Sequence, residues 1–166
     1  AVGVAEMDGG RVPIMTPDTT REDRRKGKSL SWKEAKICLA HAQGSRTLSY
    51  GGTLQGDVGT AGRALFDCAR RAGFGQATRL HAVGDGAEWI AGQIEEQFGA
   101  QSRYLLDFYH VQLDYQTAIS RDLPIGSGEI ESAHRYLVQQ RLKRPGAWWR
   151  VEHAEHLLAL RLNPQR

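Results

Sequence analysis

Apolar and polar positions along this chain divide it into extended runs, then alternating extended and helical ones. The first ten residues, AVGVAEMDGG, are apolar on both faces until Asp8, the pattern of a central strand. The Gly9-Gly10 pair predicts a turn into RVPIMTP, a second strand in which Pro13 points to an irregular or edge position. Residues 18–29, DTTREDRRKGKS, are charged without any period and read as a solvated loop. WKEAKICLAHA alternates and predicts a third strand, making the opening segment an antiparallel meander.

Helical periodicity starts with DVGTAGRALFDCARRAGFG, where Val58, Ala61, Leu65, Cys68, Ala69 and Ala72 share a stripe and Gly73 supplies the stop. TRLHAVGDG predicts a short strand ending at Asp85, and GAEWIAGQIEEQFG a helix with Ile90, Ile94 and Phe98 on one stripe and Gly99 as its stop. SRYLLDFYHV predicts a fifth strand, followed by a short polar link and a helix that must end before Pro145. GAWWRVEHAEHLLALRLN gives a last helix with Leu157, Leu158 and Leu160 as its apolar positions. The order β-β-β-α-β-α-β-α-α predicts an α/β protein with a mixed five-stranded sheet, three antiparallel strands followed by parallel βα units, flanked by helices. That is the element order of the ribonuclease H-like fold. With 166 residues, no internal repeat and no low-complexity segment, residues 1–166 read as one domain.

Composition narrows the function classes. The net charge of +3 is a mild basic bias, compatible with a nucleic-acid partner. No apolar run approaches the ~18 residues of a membrane span and no signal peptide is visible, so the expectation is a cytoplasmic, nucleoid-associated protein without membrane contact. The two cysteines, Cys38 and Cys68, lie in apolar-periodic stretches and read as buried small hydrophobes rather than a disulfide or zinc site. The chain opens inside an apolar stretch with no initiator methionine, which suggests a piece of something longer.

The acids carry the candidate chemistry. Asp8 is expected to end the first strand and Asp85 the fourth, and in this order those strands lie side by side and parallel, with ligand sites at their carboxyl ends. Two carboxylates placed together repel unless a cation lies between them. A third from a packed helix completes a cage of hard oxygen ligands for one or two Mg²⁺ or Mn²⁺ ions, the donor set used in two-metal phosphodiester chemistry. Each acid also has a plain structural reading as a turn residue or cap, and VGDGAEW could be an Asp capping the following helix.

LPIGSGEIESAHRYL offers two helical glutamates, Glu129 and Glu131, whose side chains point about 200° apart. With Ile130 at 0°, the apolar face formed with Ala133, Leu137, Val138 and Leu142 centres at roughly 20–40°. Glu131 flanks that face at about 100° and can look toward the sheet. Glu129, at about −100°, lies outside it and suits an accessory place in the first turn, where it favours the helix dipole. Arg135, Arg141, Lys143 and Arg144 form a basic run on the same helix, either a solvated face or a contact to a DNA backbone. His153 and His156, three apart with no third ligand nearby, read as a wet helix face, and Trp148 and Trp149 as packing.

RLHAVGDGAEWI, YLLDFYHV and LPIGSGEIESAHRYLVQQRLKRPGAWW, with KSLSWKEAKICLAHAQGS, resemble bacterial insertion-sequence DDE transposases of the ISKra type over nearly the whole chain. The resemblance implies a ribonuclease H-like catalytic core that uses Mg²⁺, hydrolyses transposon ends and transfers the freed 3′-hydroxyl to target DNA, with a homo-oligomer in the synaptic complex. It implies Asp8 in EMDGG as the first acid, Asp85 in GDGAEW as the second and the Glu of IGSGEIES as the third, with IES similar to the Ile-Glu-Arg signature of related transposases. That agrees with the helical wheel on Glu131. Asp107 and His110 of DFYH resemble an accessory pair that orders metals or the DNA strand. The family's N-terminal DNA-binding region is not seen, and its long helical insertion is missing near residues 111–114. Two other readings belong to different classes: a truncated remnant that binds DNA or a partner transposase without chemistry, and a structure-specific nuclease of the same fold.

Overall fold

The opening apolar run does not turn at Gly9-Gly10. In the computed structural model, which describes residues 1–20, 22–23, 27–107 and 115–163, strand β1 runs unbroken from Val2 to Pro17. It pairs antiparallel along its length with β2 (Lys28–Ala42), and both glycines sit in that ladder opposite Lys36 and Ala35. Neither takes a positive φ. Gly10 is glycine for a different reason: a Cβ there would lie 1.6 Å from His134 Nε2, so the strand admits the imidazole only where a side chain is missing.

The third antiparallel strand is therefore not WKEAKICLAHA but β3 (Ser49–Thr53), which pairs with β2. Its two glycines hide it from a propensity reading. Gly51 is needed because a Cβ would lie 2.8 Å from Cys68 Sγ, where helix α1 (Val58–Arg71) crosses the sheet. Asp57 starts α1 by accepting from Thr60 N at 2.7 Å, and Gly73 ends the turn after it at φ 84°. Strand β4 (Arg79–Gly84) and helix α2 (Glu88–Phe98) follow as expected, and strand β5 (Ser102–Leu106) forms the first half of the expected SRYLLDFYHV strand, of which residues 108–111 lie outside the described residues. The polar link holds a further short helix, α3 (Tyr115–Ser120). The glutamate helix is α4 (Gly128–His134), continuing through a π-helical turn at Arg135–Gln139 into α5 (Gln140–Leu142), and the last helix is α6 (Val151–Leu162).

The sheet order is β3-β2-β1-β4-β5, with β4 and β5 parallel to β1. The architecture is thus α/β, a mixed five-stranded sheet flanked by helices. Alternation along β1 sends Val12 and Ile14 to one face, where they pack with Ile37, Leu39, Ile130, Val138 and Leu158. Ala5 and Met7 point to the other face, under Leu65, Cys68, Ile90 and Ile94 of α1 and α2. Cys38 and Cys68 are both buried there and free, as expected of small apolar residues.

β4 pairs with β1 only over Val2–Glu6, so the distal half of β1 would be an open edge. The segment before α6 closes part of it: Trp149 N donates to Pro13 O at 3.2 Å and Met15 N to Trp149 O at 2.7 Å. Pro13, which has no N–H to give, is tolerated on this irregular edge. α6 is held at the end of β3 by Glu155, whose carboxylate accepts from Thr53 Oγ1 and from Leu54 and Gln55 N. No helix among the described residues is long and apolar enough to cross a membrane.

Of the leucines expected to bury on α6, Leu158 is 1% exposed and Leu157 packs at the margin, but Leu160 is 65% exposed. Leu158→Ala should cost about 2–5 kcal/mol in urea unfolding, and Leu160→Ala no more than about 0.5 kcal/mol.

Candidate active site

Strand register sets the acids at one level. β1 and β4 are paired up to Glu6↔Val83, so two residues further on Asp8 stands level with Asp85. β4 and β5 are paired up to Gly84↔Leu106, so one residue on Asp85 stands level with Asp107. Asp107 N donates to Gly84 O at 2.8 Å, which extends the pairing to that point. Asp8 is not at a strand end, as the expected turn at Gly9-Gly10 would have put it. It lies mid-strand, just past the point where β1 loses β4 as a neighbour.

The local contacts differ. Asp8 is partly buried, and its Oδ1 accepts from Gly9 N at 2.7 Å. Asp85 is exposed, and its Oδ1 accepts from Ala87 N at 3.0 Å; this bond makes a turn before α2, whose N-cap is Ala87, so Asp85 does not cap the helix as GDGAEW suggested. Asp107 is buried, and its Oδ2 accepts from Ser127 N at 3.0 Å and from the Ser127 hydroxyl. That hydroxyl also lies 3.2 Å from Glu131 Oε1, so Ser127 stands between an acid from the sheet and an acid from α4.

Charge makes the grouping visible. Burial lifts the Asp8 carboxyl from 3.8 to about 6, the Gly9 N–H opposes the shift, and repulsion by Asp85, Glu131 and Glu34 adds to it. Asp85 and Glu131 are therefore both electrostatic neighbours of Asp8. Glu6, two residues earlier on the same face of β1, is wholly buried. Burial first, then repulsion by Glu129, Asp107 and Glu131, raises it to about 8, against the pull of the Ile130 N–H that its Oε2 accepts at 2.8 Å.

The two glutamates of α4 part company as their spacing requires. Glu129 was expected in solvent or against the first-turn backbone; instead its Oε2 lies 2.8 Å from Nε2 of buried His41 on β2, whose Nδ1 is 3.0 Å from Ala42 O. Glu131 is exposed at the border of the helix face, on the side of Ser127 and Asp107. One turn on, His134 is buried against Gly10, with Nδ1 3.7 Å from Asp8 Oδ2. Burial, and then Lys143, hold its pKa below the usual imidazole value, which favours the neutral ring beside Asp8.

Arg135, Arg141, Lys143 and Arg144 are all exposed, and Lys143 is close enough to influence His134. His153 and His156 are exposed on α6, a wet face as expected. His110 and the point near 111–114 where an insertion would leave the chain lie outside the described residues. Among the described residues, no three carboxylate, imidazole or thiol groups already stand at metal-cage spacing.

Sequence reasoning passed over Glu6, His41, Ser127 and His134. Two of them left a signal: Glu6 interrupts an apolar run at the same parity as Asp8, and His134 lies one helical turn from Ile130, on the buried stripe. No family model matches the chain, and no curated protein matches it.

The raised Asp8 pKa fixes a pH dependence. Between 3.8 and about 6 the native state holds a proton that the unfolded chain has lost, so this contribution is fully present below 3.8 and is lost as pH rises through about 6. In metal-free buffer, urea unfolding of Asp8→Asn against the parent protein across that window should show a relative gain for the variant that grows with pH to about 1–3 kcal/mol.

Proposed function

We propose that this chain is the catalytic core of a metal-dependent DDE transposase with a ribonuclease H-like fold, acting on DNA phosphodiesters. The observation that carries the reading is the level placement of Asp8 within β1 and of Asp85 and Asp107 just past the ends of the parallel strands β4 and β5, with the Glu131 helix packed on the same side of the sheet. The strand order, with β1 central and β4 and β5 parallel to it, supports the fold assignment. The resemblance of GDGAEW and IGSGEIES to transposase motifs supports the choice of chemistry.

The donor set fits a hard divalent ion. Carboxylate oxygens suit Mg²⁺ or Mn²⁺; burial does most to raise Asp8, and the repulsion by Asp85 and Glu131 that adds to it is the kind a cation relieves. Asp8, Asp85 and Glu131 would hold a pair of metal ions, which when bound would activate the attacking oxygen and stabilise the leaving one. The chain's own residues supply the frame. Asp107 fixes Ser127, Ser127 orients Glu131, and neutral His134 fills the space over Gly10 beside Asp8. The exposed cations Arg135, Arg141, Lys143 and Arg144 would hold the phosphate backbone of transposon ends or target.

Three results are expected. Mn²⁺ at ten times its Kd should stabilise the protein by about 1.4 kcal/mol; a melting temperature unmoved by millimolar Mn²⁺ or Mg²⁺ would count against the site. Mn²⁺-dependent nicking of plasmid should nearly vanish in Glu131→Gln and survive in Glu129→Gln, and nicking without strand joining would mark a nuclease instead. Reversing the charges of Arg141 and Lys143 together should flatten the dependence of log K on log salt by close to two units, about one per phosphate contact; an unchanged slope would make the run a solvated face.

A further inference from the structure

A carboxyl buried without compensation is costly, and Glu6 is 0% exposed in a strand whose neighbours Val4, Ala5 and Met7 are apolar. Its Oε1 has no hydrogen-bond partner among the described residues. Its Oε2 makes one hydrogen bond, accepting from Ile130 N at 2.8 Å across 124 positions of sequence. Ile130 lies between the two glutamates of α4 and is itself 1% exposed.

The helix needs that acceptor. The first N–H groups of a helix have no partner within it, and the residue before the helix usually supplies one from its side chain. Ser127 holds that place in α4 but makes no such bond, because its hydroxyl is turned to Asp107 and Glu131. The cap comes instead from the sheet: β1 gives Glu6 to Ile130 N, and Asp107, after β5, gives its carboxylate to Ser127 N. Two bonds from two strands fix both the height and the rotation of α4. A rotation by one residue, about 100°, would carry Glu131 away from Asp8.

We propose that Glu6 is a positioning residue: it caps α4 from within the sheet and thereby sets Glu131 against Asp8 and Asp85. Its importance to metal binding rests on the reading given under Proposed function; its control of α4 does not. Glu6→Gln keeps an oxygen that accepts from Ile130 N, Glu6→Leu removes it, and Glu6→Asp withdraws it by one methylene.

Two measurements on the same proteins test this: amide hydrogen exchange at Ile130, referenced to Leu65 on the opposite face of the sheet, and the Kd for Mn²⁺. In Glu6→Leu, Ile130 should exchange about tenfold faster or more while Leu65 keeps its protection, and Mn²⁺ should bind roughly 10- to 100-fold more weakly. Glu6→Gln should stay near the parent protein in both. Should Glu6→Leu not fold, Glu6→Asp carries the same expectation. The proposal is overturned if Ile130 protection is unmoved, if exchange rises while Mn²⁺ binding is unchanged, or if Glu6→Gln behaves like Glu6→Leu. If the parent protein binds no Mn²⁺, the transposase reading falls, and the exchange of Ile130 alone decides whether Glu6 positions the helix.

Discussion

The unequal pairing of β1 is the constraint from which the rest follows. Over Val2–Glu6 the strand has a neighbour on each side, and beyond that only β2 runs beside it without interruption. A carboxylate cannot sit ionised in the closed part of such a sheet without a large desolvation cost, but it can where one neighbour stops. Asp8 occupies that place. Because β4 and β5 end at the same level, Asp85 and Asp107 arrive beside it, and the opening is what α4 packs over.

This arrangement concentrates like charge where a folded domain would gain stability by avoiding it. Glu6 and Asp8 are both pushed well above the usual carboxylate range, chiefly by burial, with repulsion by Glu129, Asp107 and Glu131 adding to the first and by Asp85, Glu131 and Glu34 to the second. The carboxyl ends of parallel strands are where ligand sites gather in sheets of this kind, which is why the perturbed acids there carry the candidate chemistry. Polar bonds hold the cluster in place, from Ser127 to Asp107 and from Ile130 N to Glu6.

How far the sequence told this in advance depended on whether the signal was local. The stripes of α1 and α2 and the stops at Gly73 and Gly99 could be read because period and capping are short-range. The parallel neighbours β1 and β4 followed from element order. Gly9-Gly10 misled because a glycine pair signals a turn, whereas the actual requirement came from His134, far along the chain. β3 was missed because Gly51 makes room for Cys68 rather than for strand propensity. Glu6 looked like a lapse in an apolar run, since the N–H it meets lies on a helix that no local pattern connects to it. The spacing of Glu129 and Glu131 predicted that they diverge, but not that Glu129, expected to point away, would reach back to His41 on β2.

The closure of the β1 edge by Trp149 carries a consequence for how the chain is made. The backbone that covers Pro13 is synthesised well over a hundred residues after it. In that interval β1 and β2 can already form their hairpin, but its outer N–H and C=O groups stand open, a template for any other extended segment. Until the segment around Trp149 is made, that open edge exposes the nascent chain to aggregation, and chaperone capture would matter in that window.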